Sequence, residues 1–205
     1  MSPKFWVKAC RDLSSRDEVM AKLITSYRGE RLRSRGEAFE TLLRSIVGQQ
    51  ISVKAAQSVW EKLCLQVNPA DPTTIVACKT ERLRKAGLSG RKVEYACDLA
   101  RHFLDGSVAP ERWREMDDEE VIAELTVVRG IGRWTAEMFL IFHLLRPNVF
   151  PVADLGLQKA LALAYGKRYP VSDRQLQIFR RRFDPWNSVA VWYLWRSLDP
   201  IPVEY

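Results

Sequence analysis

The chain has 205 residues, enough for one domain or two small lobes sharing a core, and 47% of them are hydrophobic, too many for a disordered chain. Lysine and arginine total 32 against 25 acidic residues, a net charge of +7, and 22 of the cations are arginine, whose planar fork matches phosphate oxygens. No apolar run approaches the ~18 residues of a membrane span, and Met1 to Trp6 lacks the apolar core of a signal peptide, so the expectation is a cytoplasmic protein with no membrane partner.

Helical periodicity dominates the chain. Phe39, Leu42, Leu43, Ile46 and Val47 recur at steps of three and four, and so do Val53, Ala56, Val59, Trp60 and Leu63. Between these stripes lies Gly48-Gln49-Gln50-Ile51, with Ser52 placed to cap the second helix. Val93, Ala96, Cys97, Ala100 and Phe103 form a third stripe, closed by Gly106. Asp117 or Asp118, followed by Glu119 and Glu120, opens a helix through Val121, Ile122 and Leu125. Arg133 to Leu145 reads as a long, mostly buried helix stopped by Pro147. Val149 to Val152 is rich in β-branched residues but contains proline, and is expected as a connector. Helices over Leu155–Tyr165, Asp173–Phe183 and Trp186–Leu198 complete an all-α fold, with Pro185 in the first turn of the last.

Cys10, Cys64, Cys78 and Cys97 include no C-x-x-C pair, so the expectation is four reduced, mostly buried thiols rather than a metal site or a disulfide framework. The only histidines, His102 and His143, fall in helical patterns and do not suggest a triad.

The stretch Leu125-Thr126-Val127-Val128-Arg129-Gly130-Ile131-Gly132-Arg133-Trp134-Thr135-Ala136 carries the most chemistry. One helix ends, a turn with two glycines follows, and a second helix begins. Gly130 and Gly132 allow backbone angles closed to other residues and leave the amides uncovered. Those amides lie at the positive end of the second helix, beside Arg133, which makes an anion site suited to a phosphate.

The hairpin resembles the helix-hairpin-helix of the DNA glycosylase superfamily, in which a Gly/Pro-rich loop and a catalytic aspartate follow. Here that element is Pro147 to Asp154, with Asp154 22 positions beyond Gly132. Ile46 to Ser52, Gly87-Leu88-Ser89-Gly90-Arg91-Lys92, Gly130 to Ala136, and Pro185-Trp186 are similar to the 3-methyladenine DNA glycosylase II family; together they span about 36 to 198. The resemblance implies two helical lobes with the active-site cleft between them. One would run over 36–146 and end in the hairpin; the other would join 1–35 to 147–205 and carry the aspartate. It implies a compact form without an N-terminal β-domain, acting as a monomer on double-stranded DNA that contains damaged bases, nucleoid-associated in a bacterium. The reaction implied is hydrolysis of the N-glycosidic bond of alkylated purines.

Each residue role implied in this way has a plainer alternative. Asp154 would stabilise the developing sugar cation, and it also stands where it would cap the helix from Leu155. Trp134, Trp195 and Met138 would line the base pocket, although tryptophans at helical spacing are usually core. Met138 stands where relatives carry tyrosine. Gln50, with Gln49 beside it, would wedge into the gap left by the extruded nucleotide or simply pin a turn. Gly130, Gly132, Arg133, Thr135, Arg91 and Lys92 would contact phosphate; for Arg91 and Lys92 a solvated basic face is an equal alternative. The family also implies a monovalent cation on the backbone carbonyls of Thr126, Val128 and Ile131, and no cofactor for catalysis. Strand-cutting relatives carry a nucleophilic lysine where this chain has Trp134, so no lyase step is expected. The rival readings are a glycosylase for deaminated or etheno bases and a non-catalytic DNA-binding hairpin module.

Overall fold

A computed structural model describes residues 3–34 and 36–198, and among these the backbone forms twelve α-helices, one short 3-10 turn and no strand. In chain order the first are α1 (Trp6–Arg16), α2 (Glu18–Ser26), α3 (Ala38–Gly48), α4 (Val53–Cys64), α5 (Pro72–Ala77) and α6 (Thr80–Lys85). There follow α7 (Gly90–Leu104), the 3-10 turn Pro110–Arg112, α8 (Asp118–Thr126), α9 (Arg133–Phe142), α10 (Leu155–Ala164), α11 (Asp173–Phe183) and α12 (Asn187–Arg196).

Local chemistry starts most of these helices. The Ser52 hydroxyl caps α4 by accepting from Ala55 N at 3.3 Å, and Ser89 caps α7 from Lys92 N at the same distance. Asp117 opens α8 with a reciprocal capping box to Glu120, which satisfies two amides that the helix itself cannot.

By its internal contacts the chain divides into two compact units. One unit joins the residues up to Ser34 to those from Leu140 on. Its centre is α12, buried continuously from Asn187 to Leu194 and packed against α1, α2, α10 and α11. Trp6 of α1 meets Trp192 edge-on at 5.3 Å, a favoured aromatic geometry. Asp17, buried between α1 and α2, accepts from Met20 N at 2.9 Å and from the Tyr165 hydroxyl at 3.0 Å, and pairs with Arg182 at 3.3 Å. A buried carboxylate is tolerable there because its oxygens are satisfied.

The other unit runs from 36 to Phe139, and its spine is α7, packed against α3, α5 and α6. The apolar faces of α3 and α7 are those that the spacing predicts: Leu42, Leu43 and Ile46 are buried on one, Val93, Ala96 and Ala100 on the other.

Four differences from the sequence-based expectations have physical causes. Helix α9 ends at Phe142, not Leu145: Leu145 takes a φ of 56°, and Arg146 N returns to Leu140 O at 2.9 Å, before Pro147 is reached. The contact boundary falls at Phe139/Leu140 inside α9, because Phe142 in its last turn stacks on Trp195 at 5.7 Å. Helices α1, α2, α5 and α6 were not anticipated; the last two are six residues each, too short to show a period. The cysteines are free as expected but none is fully buried, Cys64 at the end of α4 being exposed.

Candidate active site

Asp154 is the N-cap of α10 and is buried, with 9% exposure. Its Oδ1 accepts from Leu157 N at 2.5 Å and from the Trp195 indole Nε1 at 2.8 Å. The cap is what a sequence ending a connector in Asp before an apolar helix dictates. The indole bond comes from α12, 41 residues away, and had no sequence signal. Around the aspartate the backbone is closed by Asp154 N donating to Pro151 O at 3.0 Å, and Gln158 Nε2 donates to Val152 O at 2.9 Å. Phe142 stacks on Trp195 with the rings 12° from parallel, which fixes the indole that holds the carboxylate. The result is an anion at the positive end of a helix, held by two donors from separate elements.

Gly156 completes this arrangement. A Cβ there would stand 3.2 Å from Asp154 Oδ1, tight enough to displace the carboxylate by a few tenths of an ångström, and 3.5 Å from the Trp195 ring, an ordinary contact.

The hairpin belongs to the other unit. Gly130 has φ 87°, a conformation that favours glycine, and a Cβ on it would fall 2.3 Å from the ring of Tyr95. Glycine at this position therefore lets the turn pack against Tyr95 of α7. Nothing lies within 4 Å of the Cβ position of Gly132, and the residue is exposed. Asp98 of α7 secures the turn by accepting from Arg129 N at 2.9 Å and from its guanidinium at 3.3 Å. Burial pushes the Asp98 carboxyl up, but Arg129 and, more weakly, His102 outweigh it and hold it below its ordinary value.

Trp134, in the first turn of α9 on the second hairpin helix, is 40% exposed. Met138, one turn on, is buried at 4%, and Thr135 is half-buried. The Arg133 fork is engaged by carboxylates: it pairs with Glu119 of α8 through both terminal nitrogens and with Glu137 through Nε at 3.2 Å. Thr126 Oγ1 bonds to Ile122 O at 2.8 Å, and the Val128 carbonyl closes the turn by accepting from Ile131 N at 3.1 Å. A second lone pair remains on any such carbonyl, so an all-oxygen neutral donor set of this kind fits a hard monovalent cation better than a transition metal.

The loop between α3 and α4 carries both expected wedge residues. Gln50 is exposed at its tip with φ 59°, and Ile51 and Val53 beside it are exposed too. Gln49 turns inward, its Nε2 donating to Gly130 O at 2.8 Å. Lys92, expected at phosphate, donates its Nζ to Val47 O at 2.7 Å and Gln49 O at 2.8 Å. Burial holds its ammonium below the ordinary lysine value. Arg91, its neighbour, is exposed.

The chain is similar to known proteins. The model of the HhH-GPD superfamily base excision DNA repair proteins matches residues 43–180, through the hairpin and past Asp154. DNA-3-methyladenine glycosylase 1 of Schizosaccharomyces pombe is 32% identical over 199 residues, 93% of this chain and 86% of that protein. The structure of the S. pombe 3-methyladenine DNA glycosylase Mag1 in complex with abasic DNA aligns with a TM-score of 0.79 at 30% identity, over 93% of this chain and 96% of that one. A DNA-3-methyladenine glycosidase from Bacillus halodurans aligns at 0.81 with 32% identity, over 92% and 88% of the two chains. Among the described residues no helix is long and apolar enough to cross a membrane. The chain belongs to the HhH-GPD superfamily of base excision DNA repair proteins, on the branch of the 3-methyladenine DNA glycosylases.

Proposed function

We propose that the chain hydrolyses the N-glycosidic bond of alkylated purines, such as 3-methyladenine and 7-methylguanine, in duplex DNA, leaving an abasic site and starting base excision repair. The observation that carries this reading is the Asp154 carboxylate, buried at the start of α10 and held by the Leu157 amide and the Trp195 indole. The target nucleotide must leave the stack to be reached. As its C1′–N bond breaks, the sugar gains oxocarbenium character, and a fixed carboxylate stabilises that charge. The bonding pair departs with the base, a water oxygen joins C1′, and Asp154 takes the water's proton. A base alkylated at N3 or N7 is already cationic and leaves neutral, so one carboxylate and a water suffice.

The exposed Trp134 ring suits a cationic base, because the face of an indole attracts positive charge. A lyase step would need an amine at that position, and an indole cannot form a Schiff base. The carbonyls of Thr126, Val128 and Ile131 would hold the hairpin cation, which supplies positive charge towards a phosphate and takes no part in hydrolysis.

A panel of duplexes, each with one lesion, tests the reading. Cationic 3-methyladenine and 7-methylguanine should be released faster than neutral hypoxanthine or ethenoadenine, and Trp134→Ala should narrow the gap by ~0.5–2 kcal/mol. Borohydride with abasic DNA should trap no adduct. Release of neutral lesions alone would assign the chain to another substrate class, and a trapped adduct would show a lyase lysine.

A further inference from the structure

Gln50 is a non-glycine residue in the left-handed region, at φ 59°, on an exposed tip. Such a conformation costs about 1 kcal/mol or more and persists only where the surroundings enforce it. The enforcing groups are visible. Lys92 Nζ bridges the carbonyls of Val47 and Gln49, closing the open end of α3 immediately before the tip. The Gln49 side chain then ties the same loop to the hairpin through Gly130 O. Gly130 itself sits against Tyr95, and Arg129 is held by Asp98. Lys92, Tyr95 and Asp98 follow one another at steps of three on α7, so one arc of a single helix holds both the loop and the hairpin.

Resting on the glycosylase reading above, we propose that Lys92 is a positioning residue for the inserting loop. Through Gln49 and Gly130 it makes the loop tip and the phosphate-gripping hairpin move as one body, and it makes no phosphate contact of its own. A hairpin that has gripped the backbone then presents Gln50 at a set height and angle. No ordering of the loop remains to be done when the nucleotide leaves the stack.

Lys92→Met and Gln49→Ala test this on the full chain. In the free protein, hydrogen exchange at the amides of Gln49 to Ser52 should quicken in both variants while the melting temperature stays close to that of the wild type. Binding to undamaged duplex should keep its salt dependence. Nucleotide extrusion, read by 2-aminopurine fluorescence beside the lesion, and single-turnover base release should each fall about tenfold in Lys92→Met, the scale of a lost hydrogen bond from a charged group, and about threefold in Gln49→Ala, which loses a neutral one. A fall of about 0.9 in the slope of log affinity against log salt for Lys92→Met would make Lys92 a phosphate contact and overturn the proposal. Unchanged exchange in the loop would overturn it too. If Lys92→Met does not fold, Gln49→Ala decides by the same exchange and extrusion readouts. If the wild type releases no base from any lesion, the glycosylase reading fails, while loop exchange and salt slope still decide the role of Lys92.

Discussion

Asp154 uses one oxygen, Oδ1, both to start a helix and to receive an indole from α12, so its orientation is fixed from two directions. That dual use makes the neighbouring glycine sensitive. Gly156 lies in the first turn of α10 with an ordinary backbone conformation, and alanine there would gain up to about 1 kcal/mol in helix propensity. Yet its methyl would press on Oδ1 at 3.2 Å while only touching Trp195 at 3.5 Å. Gly156→Ala is therefore expected to keep or raise the melting temperature while slowing base release roughly tenfold, since small misplacements of a reacting group are costly. A wild-type rate in a single-turnover assay would show that the carboxylate tolerates the shift.

Helix α7 organises its unit through side chains that a sequence presents only as charges. Asp98 shows the consequence most directly, because it holds the Arg129 amide and guanidinium and its carboxyl lies below the ordinary value. A depressed carboxyl contributes stability that is complete above its unfolded value of about 3.9 and is lost as pH falls through the folded value. Asp98→Asn should thus cost about 1–2 kcal/mol at neutral pH, and its difference from the wild type should shrink in denaturant titrations below about pH 4. A pH-independent difference would mean that packing, not charge, carries the effect. The helices α3, α4, α7 and α8 were legible because their stripes and caps are local, as at Ser52 and Asp117. Helix α1 carries the same signal in Trp6, Ala9, Cys10 and Leu13, and the spacing could have revealed it. The hairpin and Asp154 were legible for the same reason, since a glycine turn and a helix cap are written in adjacent residues. The partners were not: Lys92 finds carbonyls 43 and 45 residues away, and Arg133 finds Glu119 across the turn. Positive charge is visible in a sequence, whereas what neutralises it depends on tertiary packing.

For the whole molecule, a net charge of +7 rich in arginine suits a polyanionic partner, and DNA binding in this family carries a phosphate component that weakens with salt. The chemistry nevertheless concentrates on one group. In the proposed reaction, phosphate contacts, Trp134 and the loop at Gln50 would bind and extrude the damaged nucleotide, and the Asp154 carboxylate would stabilise its transition state. Asp154→Asn separates these contributions, because the amide keeps the shape of the side chain and removes its charge. With a duplex containing a single 7-methylguanine, single-turnover release by this variant should be slower by about a hundredfold or more, the ~2.7–4 kcal/mol of one lost electrostatic contact in the transition state, with affinity for the lesion duplex retained. Release at a rate near that of the wild type would contradict the account and place the chemistry on another residue.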